Sequence, residues 1–200
     1  MSEPRHPSEW QLADFDYELP PERIANIPAR PRDTARLMRV NRESGLITHH
    51  RFFELPALLA PSDVLVLNNT RVRPARLLGR KAEGSASLEL LLVNANPDLS
   101  WDVLIKGAKR VHPGNTILLP DGITAVAERR VEELYRIRFN IEPDELLHYL
   151  EEHAAPALPP YIKAYDAATL RDDYQTIYAK HVGAIAAPTA GFHFTKGVFD

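Results

Sequence analysis

The sequence predicts an α/β domain that carries an inserted small all-β barrel. Three observations lead there. Between residues 72 and 139, six short strand-like runs alternate with turn signals, which is the pattern of a small barrel or sandwich. Helical texture returns immediately after this region. Before it, Val64-Leu65-Val66-Leu67 is a continuous apolar run, the mark of a strand buried on both faces of a sheet. The implied domains are residues 1–71 (first part of the α/β domain), 72–140 (the inserted barrel) and 141–200 (second part of the α/β domain).

Taken in order, the first ten residues read as a loose tail. Leu19-Pro20-Pro21-Glu22 opens a helix, since Pro costs nothing at the first helical position and Glu suits the positive end of the helix dipole. Pro28 and Pro31 keep that helix short. Residues 35–40 and 46–50 read as two strands around the polar turn Asn41-Arg42-Glu43-Ser44-Gly45. Residues 52–60 fit a short amphipathic helix, and Pro61-Ser62-Asp63 turns into the apolar run. The barrel strands are expected at residues 75–79, 88–93, 101–105, 116–119, 123–128 and 134–139. Glu83-Gly84-Ser85, Asn94-Ala95-Asn96-Pro97-Asp98, His112-Pro113-Gly114-Asn115 and Pro120-Asp121-Gly122 punctuate them. Residues 143–150 repeat apolar side chains at helical period. Residues 154–161 form a Pro-rich connector, and Thr169 with Asp172 makes a near capping box for a helix through Tyr178.

Composition excludes several function classes. The chain has 200 residues, 44% hydrophobic and 26% charged, which is ordinary for a globular protein and foreign to a disordered one. A chain of this length buries roughly 70% of the surface it exposes unfolded. No run of about 18 apolar residues encodes a membrane helix, and the polar N-terminus does not read as a signal peptide. Without cysteine, disulfides and thiolate metal sites are excluded, and the cytoplasm is the expected compartment. The net charge of -3 is not that of a protein that coats DNA, so contact with nucleic acid requires a local patch. Seventeen Pro against nine Gly imply rigid corners and few long helices.

Three constellations can carry chemistry. Asn68-Asn69-Thr70-Arg71-Val72-Arg73 follows the apolar run, and α/β folds place ligands at the carboxyl ends of buried strands. Its amides, hydroxyl and guanidinium forks suit a carboxylate or phosphate. The same residues also read as an Asx turn before a solvated face. Second, Arg71, Arg73, Arg76, Arg80 and Lys81 fall within eleven residues that contain no acid. This is either a phosphate-binding stripe or a solvated face. If Val72 lies in a strand, Arg71 and Arg73 share one side of it. Third, residues 183–195 are rich in small residues and carry Thr189, Gly191 and His193. A His between Phe192 and Phe194 is either a core residue or, partly withdrawn from water, a general base. No dinucleotide fingerprint, Walker A loop, zinc-protease helix or nucleophile elbow is present. On a strand, His49 and His50 point to opposite faces and make a poor metal site.

Six collinear strings go further: Phe15-Asp16-Tyr17-Glu18-Leu19-Pro20; Arg32-Asp33-x-x-Arg36-Leu37; Val64 through Asn68-Asn69-Thr70-Arg71-Val72 to Pro74-Ala75-Arg76-Leu77; Leu158-Pro159-Pro160-Tyr161-Ile162; Tyr174-Gln175-Thr176-x-Tyr178-Ala179; and Ala186-Ala187-Pro188-Thr189-Ala190-Gly191-x-His193-Phe194-Thr195. With them the chain resembles the S-adenosylmethionine:tRNA ribosyltransferase-isomerase family of queuosine biosynthesis, over nearly its whole length.

That resemblance implies an α/β domain with an inserted β-barrel. It implies transfer and isomerisation of the ribosyl part of S-adenosylmethionine onto 7-aminomethyl-7-deazaguanine in the tRNA anticodon. The product is epoxyqueuosine, and adenine and methionine are released. S-adenosylmethionine is then a consumed substrate, with no prosthetic group and no metal expected. The partners are tRNA and S-adenosylmethionine, with no membrane and a monomeric complete protein. Within the shared motifs, His193 is the candidate for proton transfer. Asn68, Asn69, Thr70, Thr189 and Gly191 are candidates for holding substrate. Arg71 and Arg73 suit either the methionine carboxylate or a tRNA phosphate, and Arg76, Arg80 and Lys81 suit tRNA. Family members are longer and continue past the His-Phe-Thr motif, so the resemblance implies an N-terminal part, its α/β domain incomplete at the C-terminus (residues 141–200 truncated), that is inactive alone. A non-catalytic RNA-binding module, or a relative with another nucleoside substrate, are the rival functions.

Overall fold

The computed structural model describes residues 10–84, 86–159, 161–162 and 171–200. Most of the expected N-terminal tail, and the helix start expected at Thr169, lie outside the described residues.

The barrel forms as expected. Its strands, numbered within the whole chain, are β4 (Arg76–Lys81), β5 (Ser87–Ala95), β6 (Trp101–Lys106), β7 (Thr116–Leu118), β8 (Thr124–Val131) and β9 (Leu134–Phe139). They close in the order β4-β5-β6-β9-β8-β7, with every pairing antiparallel. Closure leaves no free sheet edge. Strand alternation sends Leu77, Leu88, Leu90, Leu92, Val103 and Ile137 inward, all essentially fully buried. Gly79 is needed where β4 crosses β7. A Cβ there would lie 2.8 Å from Leu119 Cδ2 and 3.0 Å from the Leu118 carbonyl oxygen.

One end of the barrel is stoppered by a helix, Pro143–His153. Pro143 supplies the pre-set first turn, and the Glu145 carboxylate accepts the Glu142 backbone N–H at 3.3 Å. Leu146, Tyr149 and Leu150, spaced to share one helix face, join the barrel core. The Tyr149 hydroxyl donates to the Pro120 carbonyl at 3.2 Å. Arg76 and Ala155 exchange two backbone hydrogen bonds of 2.9 Å. The chain therefore enters and leaves this unit at neighbouring points.

Outside the barrel, β1 (Arg36–Val40) and β2 (Ile47–Arg51) form the expected antiparallel hairpin. The Asn41 carboxamide oxygen caps its turn by accepting the Glu43 and Ser44 N–H groups at 3.0 and 2.9 Å. In β2, the His50 ring contacts Thr48 and Glu54. The expected helices at residues 21–25 and 52–60 are shorter than predicted. They are the 3-10 turn Pro21–Arg23, the 3-10 turn Phe52–Glu54 and the helical turn Leu55–Leu58; Pro28 and Pro31 follow close on the first, and Pro56 withholds an N–H donor inside the second.

The strand expected at residues 64–67 is not formed. These residues have no regular structure and no ladder partner among the described residues, and Val64 and Val66 are 86% and 88% exposed. Sheet pairing begins later, at β3 (Thr70–Val72), which pairs in parallel with β10 (His181–Ala184). All six barrel strands lie in sequence between these two. Among the described residues, the parallel part of the fold is thus one two-stranded pair, accompanied by short helices.

Candidate functional site

The parallel pair sets the geometry. Its register joins Thr70 to His181, Arg71 to Val182 and Val72 to Ala184, with a bulge at Gly183. Main-chain bonds extend the pairing at both ends. The Asn69 carbonyl accepts the Lys180 N–H at 2.8 Å, and the Arg73 N–H donates to the Ala184 carbonyl at 3.0 Å. Two of the sequence constellations, residues 68–73 and 183–195, are thereby brought side by side.

The asparagines sit differently from the sequence expectation. They stand at the amino end of β3, not at the carboxyl end of a buried strand. The Asn68 side-chain oxygen accepts the Thr70 N–H at 3.0 Å, and that Asx turn starts the strand. Asn68 and Asn69 remain exposed. The Thr70 hydroxyl reaches the His181 carbonyl at 3.4 Å.

Arg71 and Arg73 have distinct surroundings, because Pro74 ends β3 and turns the chain toward the barrel. Arg71 is exposed and lines a small groove of about 190 Å³ with Arg171, Asp172 and Gln175. Arg73 is drawn against the barrel. It donates to the Val93 carbonyl at 2.7 Å, and its guanidinium lies 4.6 Å from the Trp101 ring centroid. Burial pulls its pKa below the ordinary arginine value, yet a guanidinium stays charged at physiological pH. Arg73 also borders a larger groove of about 580 Å³, with Leu147, His148, Val182 and Gly183.

The basic stripe divides. Arg76 and Arg80 alternate onto the outer face of β4, and Lys81 falls on the opposite parity. The Arg76 guanidinium is within 3.8 Å of the Glu89 carboxylate, whereas Arg80 is exposed.

His193 ends a 3-10 turn, Thr189–His193. Thr189 is exposed and His193 half-buried. The His193 ring lies 5.2 Å from that of Phe52. Phe194 packs beside it against Phe52, Tyr178 and Phe199. Gly191 is buried under Tyr178: a Cβ there would come within 2.3 Å of the Tyr178 hydroxyl and 2.8 Å of Thr176 Cγ2. Its requirement is close packing, whatever else it touches. Burial raises the pKa of both Tyr174 and Tyr178. These rings give the His193 turn one apolar side.

Sequence reasoning gave no role to Arg32, Asp33 or Gln175, although each lies in a quoted motif. The Asp33 carboxylate accepts the Thr195 hydroxyl at 2.7 Å. Arg32 donates to the carbonyls of Gln175 and Asp172, both at 2.6 Å. The Gln175 carboxamide pairs with both backbone groups of Val72, accepting its N–H at 3.1 Å and donating to its carbonyl at 2.6 Å. A charged pair bracketed by Pro28 and Pro31 on one side and a strand on the other was the available signal. Among the described residues, no group of three or more His, Asp or Glu is arranged to hold a metal, and no helix is long and apolar enough to cross a membrane.

Residues 12–200 match a family described as "Queuosine biosynthesis protein". The chain is 44% identical over 200 residues to an S-adenosylmethionine:tRNA ribosyltransferase-isomerase of Thermosynechococcus vestitus, covering 98% of this chain and 55% of that protein. It is 47% identical over 192 residues to the like-named protein of Acidiphilium cryptum, covering 94% of this chain and 54% of that one. A solved S-adenosylmethionine tRNA ribosyltransferase from Thermotoga maritima is 33% identical and covers 93% of this chain and 52% of its own, with a TM-score of 0.35. The chain spans about half the length of the curated relatives it matches.

Proposed function

The chain belongs to the queuosine biosynthesis protein family, and on that premise we propose that it forms part of an S-adenosylmethionine:tRNA ribosyltransferase-isomerase. The observation that carries the reading is identity of 44% across 98% of the chain to a relative so named. It is strengthened by the parallel pair, which sets residues 68–73 beside residues 180–184. In this reading the ribosyl group of S-adenosylmethionine moves to 7-aminomethyl-7-deazaguanine in the tRNA anticodon. Epoxyqueuosine forms, with loss of adenine and methionine.

The chemistry asks for three things: a base for the proton on the carbon beside the sulfonium, polar groups that orient ribose and adenine, and walls that exclude water. His193 is the proposed base, with the aromatic cluster at its back as the wall. Asn68, Asn69, Thr70 and Thr189, at exposed or half-exposed positions, are the proposed orienting groups. Arg71, exposed beside its groove, is the proposed cation for the methionine carboxylate or a tRNA phosphate. Arg73 would act from the edge of the larger groove. Arg76, Arg80 and Lys81 are proposed to meet tRNA.

The test is adenine release by the full-length gene product from S-adenosylmethionine, with tRNA that carries the deazaguanine base. Release that requires this base supports the reading. Salt-dependent tRNA binding with no response to S-adenosylmethionine would replace it with an RNA-binding module. Release only with another nucleoside would redefine the substrate.

A further inference from the structure

We infer that Arg32 and Asp33 are positioning residues that hold the His193 turn and the Arg71 strand in one fixed relation. The catalytic meaning of this inference rests on the proposed ribosyl transfer. The geometry stands on its own.

The connection is short and made of strong bonds. Asp33 holds the hydroxyl of Thr195, two residues beyond His193, at 2.7 Å. Its neighbour Arg32 grips the main chain at residues 172 and 175, each at 2.6 Å. Gln175 then takes the free edge of β3 with both ends of its carboxamide, at 3.1 and 2.6 Å from the Val72 N–H and carbonyl. Those two bonds do for Val72 what a neighbouring strand would do. Arg30 braces the same segment through an ion pair of 2.7 Å with Asp173. Two adjacent residues of the 3-10 turn Arg32–Thr34 therefore reach both candidate site segments, one directly and one through Gln175.

Physical chemistry gives this arrangement a consequence. A planar guanidinium fork fixes direction as well as distance, and bonds to ionised groups are roughly twice as strong as neutral ones. A displacement of about 1 Å in a reacting group can lower a rate about 100-fold. Residues that fix the spacing between a base and a substrate anchor therefore govern kcat without touching substrate.

Thr195→Val removes the hydroxyl while keeping the shape, and Thr195→Ser keeps the hydroxyl. Both are made in the full-length gene product. The readouts are kcat and KM for adenine release and amide exchange at Val72. In Thr195→Val, kcat should fall about 10- to 100-fold with KM little changed, and the Val72 amide should exchange faster. Thr195→Ser should restore both. Unchanged kcat, equal loss in both variants, or unaltered exchange at Val72 overturns the inference. If the unmodified protein releases no adenine with the modified tRNA, the functional reading fails on that count. The positioning role is then decided by Val72 exchange alone: faster in Thr195→Val and restored in Thr195→Ser upholds it, and no change removes it.

Discussion

At the scale of single residues, side chains that look alike in the sequence do different work. Arg73 stacks on Trp101 and donates to the barrel main chain, while Arg71 faces solvent. Arg73→Lys should therefore lower folding stability by about 1–2 kcal/mol, because an ammonium lacks the flat face and the fork. Chemical denaturation checks this, and an unchanged midpoint would return Arg73 to a purely ligand-facing role. His193 calls for the opposite readout. As a base, His193→Ala should cut turnover roughly 10²- to 10⁴-fold with substrate binding largely kept. A destabilised variant whose folded fraction turns over normally would make it a packing residue against Phe52. That His193 sits among aromatic rings was legible from Phe192 and Phe194 on either side of it, while the motif context of His193 and Arg71 came from the family resemblance. Gln175 was not, because its partner Val72 is 103 residues away and no local pattern announces a side chain that imitates a strand.

At the scale of elements, legibility followed locality. All six barrel strands were readable because each carries its own alternation and its own turn signals, as in Leu88, Leu90 and Leu92 on β5. The helix Pro143–His153 was readable from Leu146, Tyr149 and Leu150 on one face. Residues 64–67 misled, because a continuous apolar run announces burial and leaves the identity of its cover unstated. The joint between helix and barrel carries a pH signature. Burial, aided by the Asp121 carboxylate, pushes the Tyr149 phenol up to about 12. Below the ordinary tyrosine value of 10.0, the hydroxyl is protonated in folded and unfolded chains alike, and its contribution is fully present. Between 10 and 12 the unfolded chain gives up its proton first, so stability falls as pH rises through that window. Tyr149→Phe should flatten this alkaline loss in thermal melts recorded from pH 9 to pH 12. An identical slope in the variant would remove Tyr149 as its cause.

At the scale of the whole molecule, burial is uneven. The barrel core is closed, whereas Val64, Val66 and the outer hairpin residues Met38, Val40 and Ile47 are exposed. Apolar surface of this kind favours association. The 200-residue chain, expressed alone, should self-associate at micromolar concentration and release no adenine. Amide exchange should be slow in the barrel strands and fast across residues 64–67. Sedimentation and the adenine assay test this together. A monomeric chain with full turnover would show that these residues suffice for the chemistry.

The pair of backbone hydrogen bonds between Arg76 and Ala155 also bears on how the chain finds its fold. Strands β3 and β10 must meet across a long stretch of sequence, and the entropy of closing so long a loop makes such pairing slow. Once the barrel and its helix have formed, however, their two ends are already side by side. What was a loop across residues 73–180 then shrinks to residues 73–75 and 156–180, and the remaining search is smaller. The order of events follows: barrel first, with mostly local contacts, and the parallel pair afterwards, nucleated next to Arg76. Lengthening a surface turn of the barrel should leave the rate of that second step unchanged, because the distance between the two ends is set by the pairing of Arg76 with Ala155 and not by the length of chain between them.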